Sequence, residues 1–365
     1  MSARRWPCVL AALVLLAAAP SHAARARAPH PVVAGADLSS LPMVERAAAT
    51  FGSADTTGDA ITVLKRAGFT SVRLRLWHTP PDGHCGLAAT LALARRAHEA
   101  GMRVLLDLHY SDTWADPAHQ SPPAAWASLA PATLADSVRT YTRDVLAAFV
   151  AQGTPPEWVQ LGNEVDGGML WDTGRLRGGR FTLESRTAFA ALLRAAADGA
   201  HAGSPATTRV IHYANGGDRD GAEEFFAQLE ERGVPFDAIA VSYYPWWHGT
   251  PQQLERTLRA LAARFRRDVL VAETAQPWTT QWFDDTHNAA GKLPAFAHPA
   301  TPEGQRDFAR ELRAIVTRIP DGRGIGVWWW EPAWLALPGA PSPWENCTLF
   351  DEHGRLLPAA EALAK

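Results

Sequence analysis

The sequence alternates short runs of β-forming residues with longer runs of helix-forming residues, and this alternation recurs eight times. The predicted strands cover residues 32–38, 71–77, 103–110, 157–164, 209–215, 238–245, 268–275 and 324–332. The Ala-, Leu- and Arg-rich segments between them include residues 87–101, 134–150, 186–201 and 251–265, and their apolar residues fall on one helical face. Successive strand and helix units are typical of a parallel sheet. We predict an α/β protein whose eight units close into a single (β/α)₈ TIM barrel, with the active site at the C-terminal ends of the strands.

A doubly wound sheet is the alternative for an alternating pattern. It needs fewer units and usually carries a glycine-rich phosphate turn, but no G-x-G-x-x-G or Walker sequence follows a predicted strand. The hydrophobic content of 47% supports a large core, and the net charge of −3 gives no basic excess for neutralising phosphates. We therefore favour the barrel and expect no nucleic-acid partner.

Residues 1–23 have the pattern of a secretory signal peptide. Arg4 and Arg5 precede an apolar run over residues 9–19, and a small-residue site follows at residues 21–23. The run is shorter than the roughly 20 apolar residues that cross a bilayer. We expect cleavage after Ala23, with Ala28 as the alternative. The remaining catalytic barrel, residues 29–365, is then a secreted or periplasmic monomer without a membrane anchor.

Two cysteines, Cys85 and Cys347, remain after the signal segment with Cys8 is removed. An oxidising compartment would allow them to form a disulfide. Two free buried thiols fit the sequence equally well, because the spacing favours neither state.

Polar side chains collect at the C-terminal ends of the predicted strands, where TIM barrels carry their active sites. They are Asp37, Arg75, His109, Asn163, Glu164, Asn215, Tyr243, Tyr244, Glu273, Trp330 and Glu331. Glu164 closes the fourth strand and Glu273 the seventh, so their carboxyl groups are expected to approach across the barrel mouth. Retaining glycosidases use two carboxyl groups roughly 5 Å apart, one as nucleophile and one as acid/base. We interpret Glu164 as the group that delivers a proton to the leaving oxygen.

The neighbours of these carboxylates suggest supporting roles. Asn163 can hold the sugar 2-hydroxyl through its amide. Arg75 is expected to orient the nucleophilic carboxylate and keep it ionised, and we prefer it to Arg73 because it lies nearer the mouth. Asp37 is a further supporting candidate at the end of the first strand. Glu331 is expected to be a structural or substrate-contacting acid.

Aromatic residues indicate the class of substrate. The chain contains 15 tryptophans, and several lie near strand ends: Trp77, Trp114, Trp171, Trp246, Trp247, Trp278, Trp282, Trp330 and Trp334. Sugar rings stack their C–H faces on flat apolar surfaces, so such a cluster favours a carbohydrate cleft. We select Tyr243, Trp247, Trp330 and Trp334 as substrate-binding candidates.

The sequence gives little support for a metal centre. His109 is either a substrate contact or a hydrogen-bonded histidine lining the barrel, and no H-x-x-x-H cluster accompanies it. Residues 282–288, WFDDTHN, offer oxygen ligands for calcium but lack EF-hand spacing, which favours a solvated acidic loop. We expect no required cofactor and assign no metal ligands.

The chain resembles family 53 of the glycoside hydrolases, the arabinogalactan endo-β-1,4-galactanases. The matching stretches are GADLSSLP (35–42), VRLRLWHTP (72–80), LLDLHYSDTWADPAHQ (105–120), VQLGNEVDGGMLW (159–171), VSYYPWWHG (241–249), ETAQPW (273–278), WWWEPAW (328–334) and WENCTLFD (344–351). The resemblance implies a retaining barrel enzyme whose acid/base is Glu164, after Asn163, and whose nucleophile is Glu273. Such a mechanism requires a raised pKa for Glu164 and a low pKa for Glu273.

The resemblance also implies a substrate and raises the question of calcium. The substrate would be β-1,4-galactan or arabinogalactan from pectin, cut internally by double displacement. Some bacterial family members hold calcium in the loop after strand seven, residues 278–292 here, but this loop lacks an alternating D-x-D pattern. The alternatives are a related barrel glycosidase acting on mannan, xylan or glucan, a non-catalytic glycan-binding barrel, and a metal-dependent hydrolase.

Overall fold

Eight parallel strands close into a barrel in the computed structural model, which describes residues 31–54, 56–176 and 182–365. The strands are β1 (Val33–Asp37), β2 (Ser71–Leu76), β3 (Arg103–Leu108), β4 (Trp158–Gln160), β5 (Thr208–Tyr213), β6 (Ala238–Tyr243), β7 (Asp268–Thr274) and β8 (Gly324–Trp329). Each strand pairs with its neighbours in chain order, and β8 returns to pair with β1. The predicted TIM barrel and all eight predicted strands are confirmed, although β4 is shorter than the predicted 157–164.

Helices connect the strands, and most of them pack around the outside of the barrel. They are α1 (Leu41–Arg46), α2 (Ala60–Ala67), α3 (Leu87–Glu99), α4 (Pro131–Gln152), α5 (Leu183–Gly203), α6 (Arg219–Glu231), α7 (Pro245–His248), α8 (Pro251–Phe265), α9 (Pro302–Thr317) and α10 (Pro358–Ala364). The helix predicted at residues 251–265 is confirmed with the same bounds. A capping box fixes its start, because the Thr250 side chain accepts from the Gln253 amide while the Gln253 side chain accepts from the Thr250 amide.

Shorter elements lie in the loops. Two small antiparallel hairpins pair Phe51–Ser53 with Thr56–Gly58 and Gly168–Met169 with Gly174–Arg175. Single 3₁₀ turns occur at Ala124–Trp126, Val165–Gly167, Pro320–Gly322 and Glu345–Cys347. The turn at Val165–Gly167 begins directly after Glu164, so the chain changes direction at that residue.

Large aromatic side chains fill the interior at the N-terminal end of the barrel. Trp158 and Trp328 pack edge to face with ring centroids 5.5 Å apart, among Val33, Leu105, Val210, Ala238, Ala240, Leu270 and Ala272. Gly35 on β1 lies against the Trp328 ring, where a Cβ would overlap it. This apolar plug closes one end of the barrel and leaves the other end for polar side chains.

Several predictions concern the termini and the cysteines. The predicted signal segment, residues 1–23, lies outside the described residues, so its cleavage stays a prediction. Cys85 and Cys347 are both buried free thiols. No helix in the described part of the chain combines the length and apolarity needed to span a bilayer.

Candidate active site

Glu164 reaches the barrel mouth through a sharp turn after β4. The strand ends at Gln160, and Glu164 then adopts φ 46° and ψ 60°, the left-handed region. This conformation costs a residue with a Cβ about 1–2 kcal/mol, and such residues cluster at functional sites. The Glu164 side chain points into the barrel mouth, where its carboxylate accepts from Ser242.

Glu273 reaches the same point from β7. The register of β6 and β7 shifts between Val241 and Ser242, so that Ser242 pairs with Glu273. A bulge of this kind bends a strand and re-aims the side chain beside it. One carboxylate oxygen of Glu164, one of Glu273 and a ring nitrogen of His212 all lie within 4.8 Å of one another. The separation of the two carboxyl groups is therefore close to the roughly 5–5.5 Å used by retaining glycosidases.

Glu273 contacts a cation. Nη2 of Arg73 lies 2.8 Å from Oε1 of Glu273, and the Tyr244 hydroxyl donates to Oε2 at 3.0 Å. Burial raises the pKa of Glu273, and the Arg73 guanidinium opposes this rise by stabilising the ionised form. The expectation of a low pKa for Glu273 is wrong relative to its ordinary value, because desolvation outweighs the cation.

Glu164 contacts a neutral hydroxyl group. Ser242 Oγ donates to Oε1 of Glu164 at 2.6 Å. Burial raises the pKa of Glu164 well above its usual range, and the neighbouring Glu273 carboxylate adds to the rise. The expected raised pKa is therefore confirmed. Of the two glutamates, Glu273 ionises first and Glu164 keeps its proton, because Arg73 contacts only Glu273 directly.

The expectation that Arg75 holds the nucleophilic carboxylate is wrong. Nη2 of Arg75 lies 2.5 Å from Glu331, and Nη1 lies 3.3 Å from Asp37. Both arginines point inward, as the alternation of β2 predicts. Arg73 starts one layer deeper, and its long side chain rises into the centre of the mouth. Arg75 instead lies at the rim and contacts Glu331, which follows β8.

Asp37 and Glu331 act as partners of the arginines. Asp37 Oδ2 accepts from Arg73 at 2.6 Å, while Asp37 Oδ1 accepts from the Ser39 hydroxyl. Glu331 Oε1 accepts from the amide and the hydroxyl of Ser40. These contacts fit the supporting role predicted for Asp37 and the structural alternative for Glu331, and both roles stay predictions.

His109 and Asn163 take different positions. Nε2 of His109 lies 2.8 Å from Asp107, and Nδ1 accepts from the Ala115 amide, which fits the predicted alternative of a hydrogen-bonded histidine lining the barrel. Asn163 Oδ1 accepts from Arg73 while its Nδ2 donates to the Ala115 carbonyl, and Asn163 lines the cleft. The contact predicted between the Asn163 amide and the sugar 2-hydroxyl stays a prediction.

Both glutamates open into a cleft of about 480 Å³ with aromatic walls. Its lining includes Trp114, Trp247, Trp330, Trp334, Trp344 and Tyr244. Trp247 is 55% exposed. The cleft therefore offers flat apolar faces beside the carboxylates.

Tyr243 is not a substrate-binding residue. Its hydroxyl donates to the Gly249 carbonyl, and its ring stacks on Phe308 outside the barrel. Adjacent strand residues face opposite sides of a sheet, so Tyr244 faces inward and contacts Glu273. The prediction identified the right dipeptide but the wrong member of it.

Sequence reasoning missed a layer of polar residues below the glutamates. Arg73, Gln160, His212 and Ser242 are fully buried. A signal for these residues was present, because each is a polar side chain inside an otherwise apolar strand, where burial without a hydrogen-bond partner is costly. Trp344, on the loop after β8, was also missed, and no pattern in the sequence distinguishes it from other tryptophans.

The residues do not fit a resident metal ion. Glu164, His212 and Glu273 form the one acid and histidine group of suitable spacing within residues 31–54, 56–176 and 182–365. Nδ1 of His212 faces Gln160 and Nε2 faces Ser242, so hydrogen bonds occupy both ring nitrogens.

Local contacts hold Asp284 and His287 of the acidic loop. In this loop, residues 278–292, the oxygens of Asp284 accept from the amides of Thr286 and Ser342. The His287 ring lies against Trp282. The best oxygen ligand and the histidine of the loop therefore make local contacts.

Comparisons with known proteins agree with one another. The family model described as "Glycosyl hydrolase family 53" matches residues 33–363. A "Probable arabinogalactan endo-beta-1,4-galactanase A" of Aspergillus terreus is 37% identical, over 87% of this chain and 90% of that protein. The "Endo-beta-1,4-galactanase" of Bacillus subtilis is 32% identical, over 88% of this chain and 75% of that protein. The solved GH53 catalytic domain of Ignisphaera aggregans has a TM-score of 0.85 at 33% identity, covering 91% of this chain and 95% of that one.

Proposed function

The chain belongs to glycosyl hydrolase family 53 and is a glycosidase, and on that premise we propose that it cleaves internal β-1,4-galactosidic bonds of galactan and arabinogalactan with retention of configuration. The observation that carries the mechanism is the pair Glu164 and Glu273, which lie within 4.8 Å of each other in different electrostatic settings. Glu273 contacts a guanidinium and Glu164 contacts a hydroxyl. Such a difference assigns the ionised nucleophile to Glu273 and the protonated acid to Glu164.

In the first step, Glu273 attacks the anomeric carbon of the bound galactose. The bond from that carbon to the bridging oxygen breaks, and Glu164 gives its proton to the departing oxygen. The product is a galactosyl ester of Glu273 and a shortened polymer that leaves as an alcohol. The Tyr244 hydroxyl and the Arg73 guanidinium hold the nucleophile in place before the attack.

In the second step, water enters on the side that the leaving group has left. Glu164, now a carboxylate, takes a proton from the water as its oxygen bonds to the anomeric carbon. The ester bond breaks, and Glu273 returns to its ionised form while Glu164 regains its proton. Two inversions at the same carbon give net retention, and no cofactor takes part.

The cleft supports binding of a polymer. Trp247 on one wall is largely exposed, whereas Trp330 packs on Trp344 with ring centroids 4.4 Å apart. Several stacking surfaces beside the carboxylates allow sugar units to bind on both sides of the scissile bond. This arrangement favours internal cleavage of a chain over release of single terminal sugars.

The proposed location is the periplasm or the cell exterior. It rests on the signal-like pattern of residues 1–23 and on the size of the substrate, because a galactan polymer is encountered outside the cell. N-terminal sequencing of the protein recovered from periplasmic and culture fractions tests this. A start at residue 24 or residue 29 would support it, and an unprocessed Met1 would contradict it.

Reducing-sugar release from linear β-1,4-galactan tests the function, with mannan, xylan and cellulose in parallel. We expect release from galactan alone, and loss of it in both Glu164→Gln and Glu273→Gln. Release from another polymer instead would keep the two carboxylates and overturn the substrate. Galactan binding without any release would support a glycan-binding barrel, and loss of release on chelation would support a metal-dependent hydrolase.

A further inference from the structure

Three polar side chains lie below the glutamates, and the two-step mechanism does not use them. Gln160 on β4, His212 on β5 and Ser242 on β6 are fully buried and come from consecutive strands of the barrel. Buried polar groups are retained only when hydrogen bonds satisfy them. These three connect to one another in a line that starts at Arg73 and ends at Glu164.

The direction of the first links follows from the chemistry of arginine. Arg73 Nε can only donate, and it lies 2.7 Å from Gln160, so the carbonyl oxygen Oε1 of Gln160 must face it. The amide nitrogen of Gln160 then faces Nδ1 of His212 at 2.9 Å and donates to it. Nδ1 of His212 also lies 3.4 Å from the Glu164 amide, a second donor, and 3.0 Å from Asn163 Oδ1, an acceptor. Because the two donors outnumber the one acceptor, we assign Nδ1 as an acceptor and place the single proton of the neutral ring on Nε2.

The remaining two hydrogen bonds must run in the same direction, because the proton on Nε2 makes that nitrogen a donor. Nε2 of His212 lies 2.9 Å from Ser242 Oγ and donates to it. Having accepted that hydrogen bond, the Ser242 hydroxyl directs its own hydrogen to Oε1 of Glu164 at 2.6 Å. The four links form a chain that runs one way, from Arg73 to Glu164.

We propose that Gln160, His212 and Ser242 are positioning residues through which Arg73 fixes the acid/base Glu164 as well as the nucleophile Glu273. Ser242 donates to Oε1 in both protonation states of Glu164. The chain thereby reserves Oε2 of Glu164 for the proton that passes to the leaving group and returns from water. This inference rests on the proposed acid/base role of Glu164.

The chain stays neutral between its charged ends. Burial lowers the pKa of His212 well below its ordinary value, and the Arg73 guanidinium acts in the same direction. The charged and titratable groups around His212 are Arg73, Asp107, His109 and His248, together with Glu164 and Glu273, whose carboxylate oxygens lie within 4.8 Å of a ring nitrogen. The groups that face Glu164 are Glu273, Asp166, Arg73 and Ser242. Each donor in the line polarises the next, which strengthens the Ser242 hydrogen bond to an ionised Glu164.

The pH profile of kcat/KM on galactan tests the role of Ser242. Ser242→Ala removes a donor to the ionised form of Glu164, so the alkaline limb should move up by about one pH unit. Ser242→Thr keeps the hydroxyl and should restore the wild-type limb. Ser71→Ala is the matched control, because Ser71 is also buried in a barrel strand but contacts Trp328 at the opposite end. Its profile should be unchanged.

The tautomer of His212 tests the direction of the chain in the unmodified protein. Nitrogen-15 spectra of histidine-labelled protein, with His212→Gln to assign the signals, should place the proton on Nε2. A proton on Nδ1 would overturn the chain even if Ser242→Ala failed to fold.

The two hypotheses fail separately. Retained galactan hydrolysis in Glu164→Gln would remove the acid/base assignment itself. An inactive Glu164→Gln with an unshifted alkaline limb in a folded Ser242→Ala would overturn only the chain.

Discussion

Nη2 of Arg73 lies 2.8 Å from Oε1 of Glu273 at the centre of the barrel mouth. The same guanidinium also contacts Asp37 and Asp107, so it is fully surrounded by hydrogen-bond acceptors. A cation held in this way has a fixed position before substrate binds, which is the condition for electrostatic preorganisation. Arg73 is therefore the cation that stabilises the ionised form of Glu273.

Replacement of Arg73 should affect catalysis much more than replacement of Arg75. Lysine presents one ammonium and cannot satisfy the partners that the guanidinium of Arg73 satisfies, so Arg73→Lys should lower kcat/KM on galactan by about 100-fold or more. Arg75→Lys keeps a charge beside Glu331, and since Arg75 contacts Glu331 and not Glu273, it should lower kcat/KM less than about tenfold. Steady-state kinetics of both variants, with circular dichroism to verify folding, checks this. Equal losses would contradict it.

The rate should depend on pH in a bell shape. Glu273 must be ionised, so activity is lost as the pH falls through its pKa. Glu164 must be protonated, so activity is lost as the pH rises through its pKa, which burial and Glu273 raise well above the ordinary range. Measurement of kcat/KM from acidic to alkaline pH tests both limbs. A rate that continues to rise in alkaline buffer would rule out Glu164 as the acid.

Glu164→Gln should stabilise the protein, and more so at higher pH. A carboxyl group whose folded-state pKa is raised contributes stability that is full below its unfolded pKa and is lost as the pH rises through its folded pKa. Glutamine never ionises, so it avoids that loss. The difference in Tm between Glu164→Gln and wild type should therefore grow from pH 5 to pH 8. Glu273→Gln is the comparison, and its Tm difference from wild type should grow less with pH, because Arg73 stabilises the ionised form of Glu273.

The adjacent tyrosines should separate catalysis from stability. Tyr244→Phe removes the hydroxyl that donates to Glu273, and kcat should fall about tenfold or more. Tyr243→Phe removes a hydrogen bond to the Gly249 carbonyl outside the barrel, which should cost about 1 kcal/mol of stability and leave kcat unchanged. Kinetics and urea unfolding of the two variants check this. A larger kcat loss in Tyr243→Phe would contradict the assignment.

Replacement of Trp247 should affect substrate binding alone, whereas replacement of Trp330 should also affect stability. Trp247→Ala removes an exposed ring, so KM for galactan should rise about tenfold while Tm stays near the wild-type value. Trp330 is buried against Trp344, and Trp330→Ala should lower Tm as well as activity, because it leaves a cavity. Kinetics and thermal melts of both variants test the distinction. A large drop in Tm for Trp247→Ala would show that the ring is structural.

The barrel and the positions of Glu164 and Glu273 at its mouth could be predicted from the sequence alone. Strand and helix periodicity is a local property of the chain, so the eight strands and the helix at residues 251–265 could be read directly. Glu164 and Glu273 follow apolar strands whose ends a parallel barrel brings to one side. The order of strands and helices along the chain is enough to predict where these two residues lie.

Which side chains contact these two glutamates could be seen only in the folded barrel. Arg73 and Arg75 share one face of β2, and their partners depend on which side chains from other strands stand at each height inside the barrel. The choice between Tyr243 and Tyr244 depends on the register of β6, where a bulge changes the pairing with β7. The line from Gln160 to Ser242 crosses three strands distant in sequence. Such contacts are set by the closure and stagger of the barrel, which leave no mark in the local sequence pattern.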